Sequence, residues 1–140
     1  MASRSPESNA DGHTEVPTDT LSFMVEPWVR SELDDIAFNE SGLRTKLRKS
    51  DVVRAAIRDY LRRYRENPYR CEVIGDGLEV EATVSAVIEE SVIEELEDVA
   101  FSKSERENRL VRSDVARSAV RWYIEEYRAD PSAFDPETGG

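Results

Sequence analysis

The sequence predicts a mainly α-helical protein with a short two-stranded antiparallel β-ribbon. The first observation behind this fold class is an internal repeat. Residues 20–68 align with residues 83–131 without a gap, and 21 of the 49 aligned positions are identical. The second is a change of hydrophobic periodicity within each copy, from a period of two to helical spacing. A unit of about 50 residues buries little surface alone, so we expect the two copies to pack together within one chain.

Each copy begins with a short run in which apolar side chains alternate with other residues. Leu21, Phe23 and Val25 occupy every second position of residues 20–25, and residues 83–88 repeat this pattern. Alternation is typical of a half-buried strand. A single strand leaves its backbone N–H and C=O groups unpaired, so we expect the two copies to pair as an antiparallel ribbon. The side chains on the outer face would be Thr20, Ser22, Met24, Thr83, Ser85 and Val87.

The first helix of each copy follows the strand directly. Pro27 suits the first turn of a helix, where the N–H groups have no helical partner. Val29, Leu33 and Ile36 then recur with helical spacing, and the second copy shows the same pattern. We expect the helices to be closed against the core by Phe38 and its counterpart, Phe101.

A polar connector, residues 39–49, leads to the second helix. We expect this helix to begin at Ser50 as its N-cap, with Asp51 in the first turn, where the helix dipole favours negative charge. Ser113 and Asp114 would open the equivalent helix of the second copy. A broad apolar stripe follows in both copies, and Pro68 and Pro131 mark the ends.

These features divide the chain into five segments. We expect a tail at each end, two repeats, and a linker in which Gly75-Asp76-Gly77 could turn a small hairpin. The segments are a disordered N-terminal tail at 1–19, the first repeat at 20–69, the linker at 70–82, the second repeat at 83–132 and a disordered C-terminal tail at 133–140.

Charge is unevenly distributed along this acidic chain. The net charge is −11, yet residues 20–69 carry +2 while residues 83–131 carry −5. There are sixteen arginines and only three lysines. Abundant acidic residues with few lysines resemble the cytosolic proteins of salt-loving archaea. A cytoplasmic location is the default expectation. No apolar run approaches the ~20 residues of a membrane span, and no secretory signal is recognised at the N-terminus.

The residues that enzymes and metal sites need are scarce. His13 is the only histidine and lies in the predicted tail, so a Ser-His-Asp arrangement or a histidine-rich metal site has no place to form. Cys71 is the only cysteine, which excludes an intrachain disulfide. No glycine-rich phosphate loop is present. We therefore expect no catalytic activity, no metal and no cofactor.

Strand, helix and capped helix in this order resemble the ribbon-helix-helix DNA-binding proteins. Residues 21–27 resemble the ribbon of that family, and residues 49–61 resemble its second helix, with the pattern Ser-x-x-Val-x-x-Ala-Ile. Residues 112–120 resemble the second helix again. Members of the family are usually single repeats that dimerise. The resemblance therefore implies a tandem ribbon-helix-helix protein in which one chain forms an intramolecular pseudo-dimer.

The resemblance also implies a function, which is transcriptional regulation through binding of double-stranded DNA. The ribbon would enter the major groove, and its outward side chains would contact base edges. Hydroxyl groups can face any base, and Met24 or Val87 could contact thymine methyls, but none of these side chains offers a bidentate pair. The base-contacting residues would be Thr20, Ser22, Met24, Thr83, Ser85 and Val87. The phosphate-contacting residues, at the second-helix N-termini, would be Arg48, Lys49, Ser50, Asp51, Arg112, Ser113 and Asp114.

The sequence leaves other interpretations open. The acidic second repeat is also consistent with a protein-interaction module, such as an antitoxin-like partner or a dimerisation scaffold, with weak or no DNA binding. Pairs of such molecules could associate further, and the ribbons could pair within one chain or between two. The Ser-Asp pairs could act as helix caps alone.

Overall fold

The computed structural model describes residues 16–43, 45–75 and 79–133. It is mainly helical, with one two-stranded antiparallel sheet, as predicted. Of the two predicted tails, residues 1–15 and 134–140 lie outside the described residues. In chain order the elements are β1 (Thr18–Val25), α1 (Pro27–Glu40), α2 (Lys49–Glu66), a 3₁₀ turn (Pro68–Arg70), β2 (Ala82–Glu89), α3 (Glu90–Lys103), α4 (Arg112–Ala129) and a second 3₁₀ turn (Pro131–Ala133).

The two halves of the chain have matching elements. Both α3 and α4 begin and end 63 residues after α1 and α2, which is the offset of the sequence repeat. The register of the ribbon is also symmetric, because Ser22 pairs with Ser85, its own repeat equivalent. The prediction that the two copies pair as an antiparallel ribbon is confirmed.

The strand begins earlier than the sequence indicated. Thr18 pairs with Glu89 and Asp19 pairs with Ile88, so two residues that we placed in the tail belong to β1. The backbone N–H of Glu90 also donates to the carbonyl of Pro17 at 2.9 Å, which extends the pairing beyond the strand.

The core lies between the inner face of the ribbon and the four helices. Alternate residues are buried in β1 from Leu21 to Val25 and in β2 from Ala82 to Ile88, and α2 packs against α4. Burial of a large aliphatic side chain stabilises the fold by roughly 1.5–3 kcal/mol. The largest fully buried side chains include Tyr60, Leu21, Leu33, Ile36, Ile57, Leu61, Leu96 and Ile124.

Phe38 and Phe101 do not close the helices onto the core, so that prediction is wrong. Their side chains are 81% and 84% exposed. Successive residues of an α-helix are rotated by about 100°, at 3.6 residues per turn. Ile36 and Ala37 already face the core, so the next position turns towards solvent.

The second helices begin one residue earlier than predicted, at Lys49 and Arg112, and neither Ser50 nor Ser113 is an N-cap. The N-cap residue of α2 is Arg48, whose backbone N–H donates to Asp51 Oδ2 at 2.8 Å. The backbone N–H of Val111 donates to Asp114 Oδ2 at the same distance at the start of α4. The carboxylate of the third helical residue therefore satisfies the N-cap backbone donor.

The linker follows the surface of the helices and anchors at three points. Cys71 is fully buried, the Tyr60 hydroxyl donates to the Glu72 carbonyl at 3.2 Å, and the Ile74 N–H donates to Ser118 Oγ at 2.9 Å. The described residues 71–75 and 79–81 form no strand, and the turn of the predicted hairpin, 76–78, lies outside the described residues.

None of the helices in the described ranges combines the length and hydrophobicity that a membrane crossing requires.

Candidate nucleic-acid interface

The outer face of the ribbon brings together all of the residues predicted to contact bases. They form three neighbouring cross-strand pairs, and every member is exposed. We call these six residues the ribbon face. The pairs are Thr20 with Val87, Ser22 with Ser85, and Met24 with Thr83. A fourth pair, Thr18 with Glu89, lies on the same side at the end of the ribbon.

The ribbon face is uncharged and combines hydroxyl groups with two apolar corners. Ser22 Oγ and Ser85 Oγ lie 2.7 Å apart at its centre and share a hydrogen bond. Thr83 Oγ1 donates to the sulfur of Met24 at 3.0 Å. Met24 is 38% exposed and Val87 is 52% exposed, so both are available to a ligand.

Two arginines of the second helices hold the ribbon by its backbone. Arg54 Nη1 donates to the carbonyl of Val87 at 3.2 Å, and Arg117 Nε donates to the carbonyl of Met24 at 2.8 Å. Each arginine contacts the strand of the other half. As a result, the second turns of α2 and α4 lie beside opposite strands of the ribbon. Sequence reasoning missed both residues, although their identity at equivalent positions was a signal.

A second pair of arginines neutralises the acidic residues next to the ribbon. Arg58 Nη2 lies 3.0 Å from Glu89 Oε1, and Arg121 forms the equivalent ion pair with Glu26. Glu26 follows β1 directly, and Glu89 is the last residue of β2. Their pairing lowers the repulsion that an approaching polyanion would meet at the ribbon.

Asp51 and Asp114 are used within the protein at the helix starts. Besides capping, Asp51 Oδ1 lies 2.5 Å from Arg54 Nη2, and Asp114 Oδ1 lies 3.0 Å from Arg117 Nη1. A carboxylate at this point already satisfies part of the positive helix end. Any phosphate would therefore bind through the neighbouring N–H groups and cations.

Those cations lie at the starts of α2 and α4. Lys49 Nζ lies 3.9 Å from Asp34 Oδ1, and Arg112 Nη1 donates to Glu97 Oε2 at 3.0 Å, so each is paired with an exposed carboxylate of the preceding helix. Arg48 is exposed and has no ion pair among the described residues. Ser50 and Ser113, at the second position of each helix, are half-buried. The seven residues predicted to contact phosphate therefore form two clusters, one at each helix start.

The connectors are shaped by two serines that sequence reasoning also missed. Ser41 Oγ donates to the Ala37 carbonyl at 2.7 Å and accepts from the Leu47 N–H at 2.9 Å. Ser104 makes the equivalent bonds in the second half, at 2.7 and 2.8 Å. These bonds fix the chain between the two helices and so fix where the clusters lie.

The described part of the chain contains no group of His, Cys, Asp and Glu side chains that could hold a metal ion. An open groove of about 750 Å³ lies along the connector between α3 and α4, with Phe101, Leu110 and Val111 among its lining residues.

No family model, curated protein or solved structure significantly matches this chain. One two-stranded antiparallel sheet with four helices is compatible with a ribbon-helix-helix-like architecture.

Proposed function

We propose that this chain is a transcriptional regulator that binds double-stranded DNA as a tandem ribbon-helix-helix pseudo-dimer. The observation that carries the proposal is the ribbon face, an exposed and uncharged surface flanked by two helix starts. An approximate two-fold axis passes between Ser22 and Ser85. It relates the two strands, the two helix starts and their cations.

The dimensions of the ribbon suit the major groove. Paired strands lie about 4.8 Å apart, and the groove is about 12 Å wide, so it admits a two-stranded ribbon with its side chains. The backbone bonds from Arg54 and Arg117 hold this surface in a single shape before DNA arrives. Pre-organisation of this kind reduces the ordering cost of binding.

The helix starts supply phosphate contacts on both sides of the ribbon. Free backbone N–H groups at a helix N-terminus bind anions, and such contacts position a protein on DNA without reading sequence. Lys49 and Arg112 would exchange their carboxylate partners for phosphates. Residues 20–69 carry a net charge of +2, whereas residues 83–131 carry −5, so we expect the cluster of the first half to bind phosphate more strongly.

The overall acidity of the chain is compatible with this function. Acidic residues dominate the second half, and the two at the ends of the strands, Glu26 and Glu89, are paired with arginines. Binding should still weaken with salt, with a slope that counts the phosphates neutralised.

Fluorescence anisotropy of labelled duplexes from the region upstream of the gene tests the proposal, across a salt series and against a scrambled duplex. Replacing Thr20, Ser22, Thr83 and Ser85 together by alanine should weaken the preference for the specific duplex. The control variant replaces three serines that are exposed on α1 and α3, Ser31, Ser91 and Ser102, by alanine. It should bind as the unmodified chain does. Unchanged binding by the ribbon variant would overturn the proposal.

A second candidate function is a protein-interaction module, favoured by the exposure of Phe38 and Phe101. Two phenylalanines that are more than four-fifths exposed at equivalent positions leave large aromatic side chains available to a partner, and aromatic residues are enriched at protein–protein interfaces. If the folded chain binds no duplex, replacing both by serine should abolish capture of a protein partner. Capture that survives this change would exclude these two points as the contact.

A further inference from the structure

The symmetric register of the ribbon places its two apolar side chains at opposite corners of the ribbon face. Met24 lies opposite Thr83, and Val87 lies opposite Thr20. Met24 and Val87 are themselves repeat equivalents, related by the same axis that passes between Ser22 and Ser85. The face therefore has an apolar corner, a hydroxyl centre and a second apolar corner along its diagonal.

The chemistry of the corners selects one feature of the major groove. Each base pair presents hydrogen-bonding groups there, and the thymine methyl is the one apolar group among them. A methionine or valine set against guanine or cytosine would bury a polar base edge without a partner, which is unfavourable. Against thymine, the same side chain buries a methyl group and removes water from both surfaces.

The spacing of the corners follows from strand geometry. The strand position facing Val87 is Thr20, four residues from Met24. Four residues at about 3.3 Å each span about 13 Å. One helical turn of DNA covers about 34 Å in about 10 base pairs, so this distance corresponds to about four base pairs.

We infer that the ribbon recognises two thymine methyl groups on opposite DNA strands, about four base pairs apart, one at Met24 and one at Val87. This inference rests on the proposed function, because it requires the ribbon to lie in the major groove. The serine pair at the centre contacts the base pairs between the two thymines. Its two hydroxyls share one hydrogen bond, so each can turn to donate or accept, and the centre discriminates less than the corners.

Selection of bound duplexes from a randomised 14-base-pair library by the full chain supplies the DNA for the test. We expect the selected sequences to share two A·T pairs with this spacing and thymines on opposite strands. Anisotropy titrations then compare the selected duplex with versions in which deoxyuridine replaces one or both thymines. Deoxyuridine removes only the methyl group. Each replacement should weaken binding about 3- to 5-fold, and both together about 10-fold or more.

Coupling between the protein and the DNA identifies the contacts. Met24→Ala should remove the sensitivity to deoxyuridine at one thymine, and Val87→Ala should remove it at the other. Both residues are exposed, so both variants should keep the circular dichroism of the unmodified chain. Deoxyuridine at a thymine outside the two positions is the matched DNA control and should change nothing.

The outcomes separate this inference from the proposed function. Selective binding that is indifferent to deoxyuridine at every thymine would overturn the methyl contacts and leave the regulator proposal standing. Sensitivity to deoxyuridine that persists in both alanine variants would also overturn the methyl contacts alone. A folded chain that enriches no sequence from the library would overturn both.

Discussion

Reversing the charge of Arg63 should destabilise the fold because this side chain joins the two halves of the molecule. Arg63 and Glu126 occupy equivalent positions in α2 and α4, and Arg63 Nη2 lies 2.6 Å from Glu126 Oε1. Arg63 also lies 3.1 Å from Asp59 Oδ2 through its Nε, and its guanidinium stacks over the ring of Trp122 at 5.2 Å.

The magnitude follows from these three contacts. The pair with Glu126 is 34% and 42% exposed, so after solvent screening it stabilises the fold by about 0.5 kcal/mol. Stacking on Trp122 adds roughly 0.5–1 kcal/mol. The bond to Asp59, whose side chain is only 12% exposed, adds about 1 kcal/mol. Loss of all three, with carboxylates then facing one another, gives about 3 kcal/mol for Arg63→Glu.

A double-mutant cycle isolates the contact between the halves. Glu126→Arg alone should cost about 1 kcal/mol, because it sets two arginines against each other. In the double variant the charges are exchanged, so its cost should fall below the sum of the single variants by at least about 1 kcal/mol. Urea unfolding followed by far-ultraviolet circular dichroism measures each free energy of unfolding. The coupling should shrink in high salt.

Glu125 provides the matched control for this cycle. It is the exposed neighbour of Glu126 on α4 and forms no ion pair with Arg63. Arg63→Glu combined with Glu125→Arg should therefore be additive within about 0.5 kcal/mol. Additive behaviour of the Glu126 cycle as well would contradict this prediction, because it would mean that α2 and α4 do not meet at this point.

The ion pair between Arg63 and Glu126 also affects which halves can associate. Two first halves from different chains would oppose Arg63 with Arg63, and two second halves would oppose Glu126 with Glu126. Like charges at the axis disfavour both pairings, whereas a first half with a second half gains the ion pair. This difference favours the pairing of first and second halves that the structure shows within one chain.

Three further predictions concern stability. Replacing both Phe38 and Phe101 by serine should change the free energy of unfolding by no more than about 0.5 kcal/mol per site, whereas Phe23→Ala in the core should cost about 3–5 kcal/mol; urea unfolding compares them. Asp114→Ala should cost about 1–3 kcal/mol by the same measurement, because it removes the α4 cap and the carboxylate partner of the buried Arg117 guanidinium. Burial raises the pKa of the Tyr60 phenol, so the free energy of unfolding should fall as the pH rises beyond about 10, where the unfolded phenol ionises. Urea unfolding at a series of alkaline pH values should show a smaller fall in this free energy for Tyr60→Phe.

Much of the fold could be predicted because periodicity and repetition report it directly. Alternation over residues 20–25 and 83–88 predicted both strands, and the need to pair their backbones predicted the ribbon. Pro27 marked the start of α1, and the apolar stripes of the helices are buried as expected.

The errors arose where a local pattern does not determine the outcome. Phe38 and Phe101 are large, apolar and repeated, yet a rotation of one helical position turns both away from the core. Ser50 is a good capping residue, but Asp51 can reach back to the Arg48 N–H, and the helix begins one residue earlier. Whether such a side chain is buried or caps a helix depends on its rotation about the helix axis and on the length of its neighbours.

Some residues of the candidate site could be predicted from the sequence, and others could not. Its six ribbon residues could be predicted, because alternation alone assigns them to the outer face. The supporting arginines could not, because Arg54 and Arg58 act on the strand of the other half, and only the packed structure shows which carbonyl and carboxylate they meet. DNA contact by the ribbon face stays a prediction.

The most direct test of DNA binding through the ribbon face is a nuclear magnetic resonance titration of the full ¹⁵N-labelled chain with the selected duplex. Binding in this mode should place the largest amide shifts on β1 and β2 and on the first turns of α2 and α4, with Lys49 and Arg112 among them. The C-terminal turns of α2 and α4, on the far side of the core, should move least. Shifts that spare the ribbon and concentrate there, or elsewhere on the helices, would contradict binding through the ribbon face.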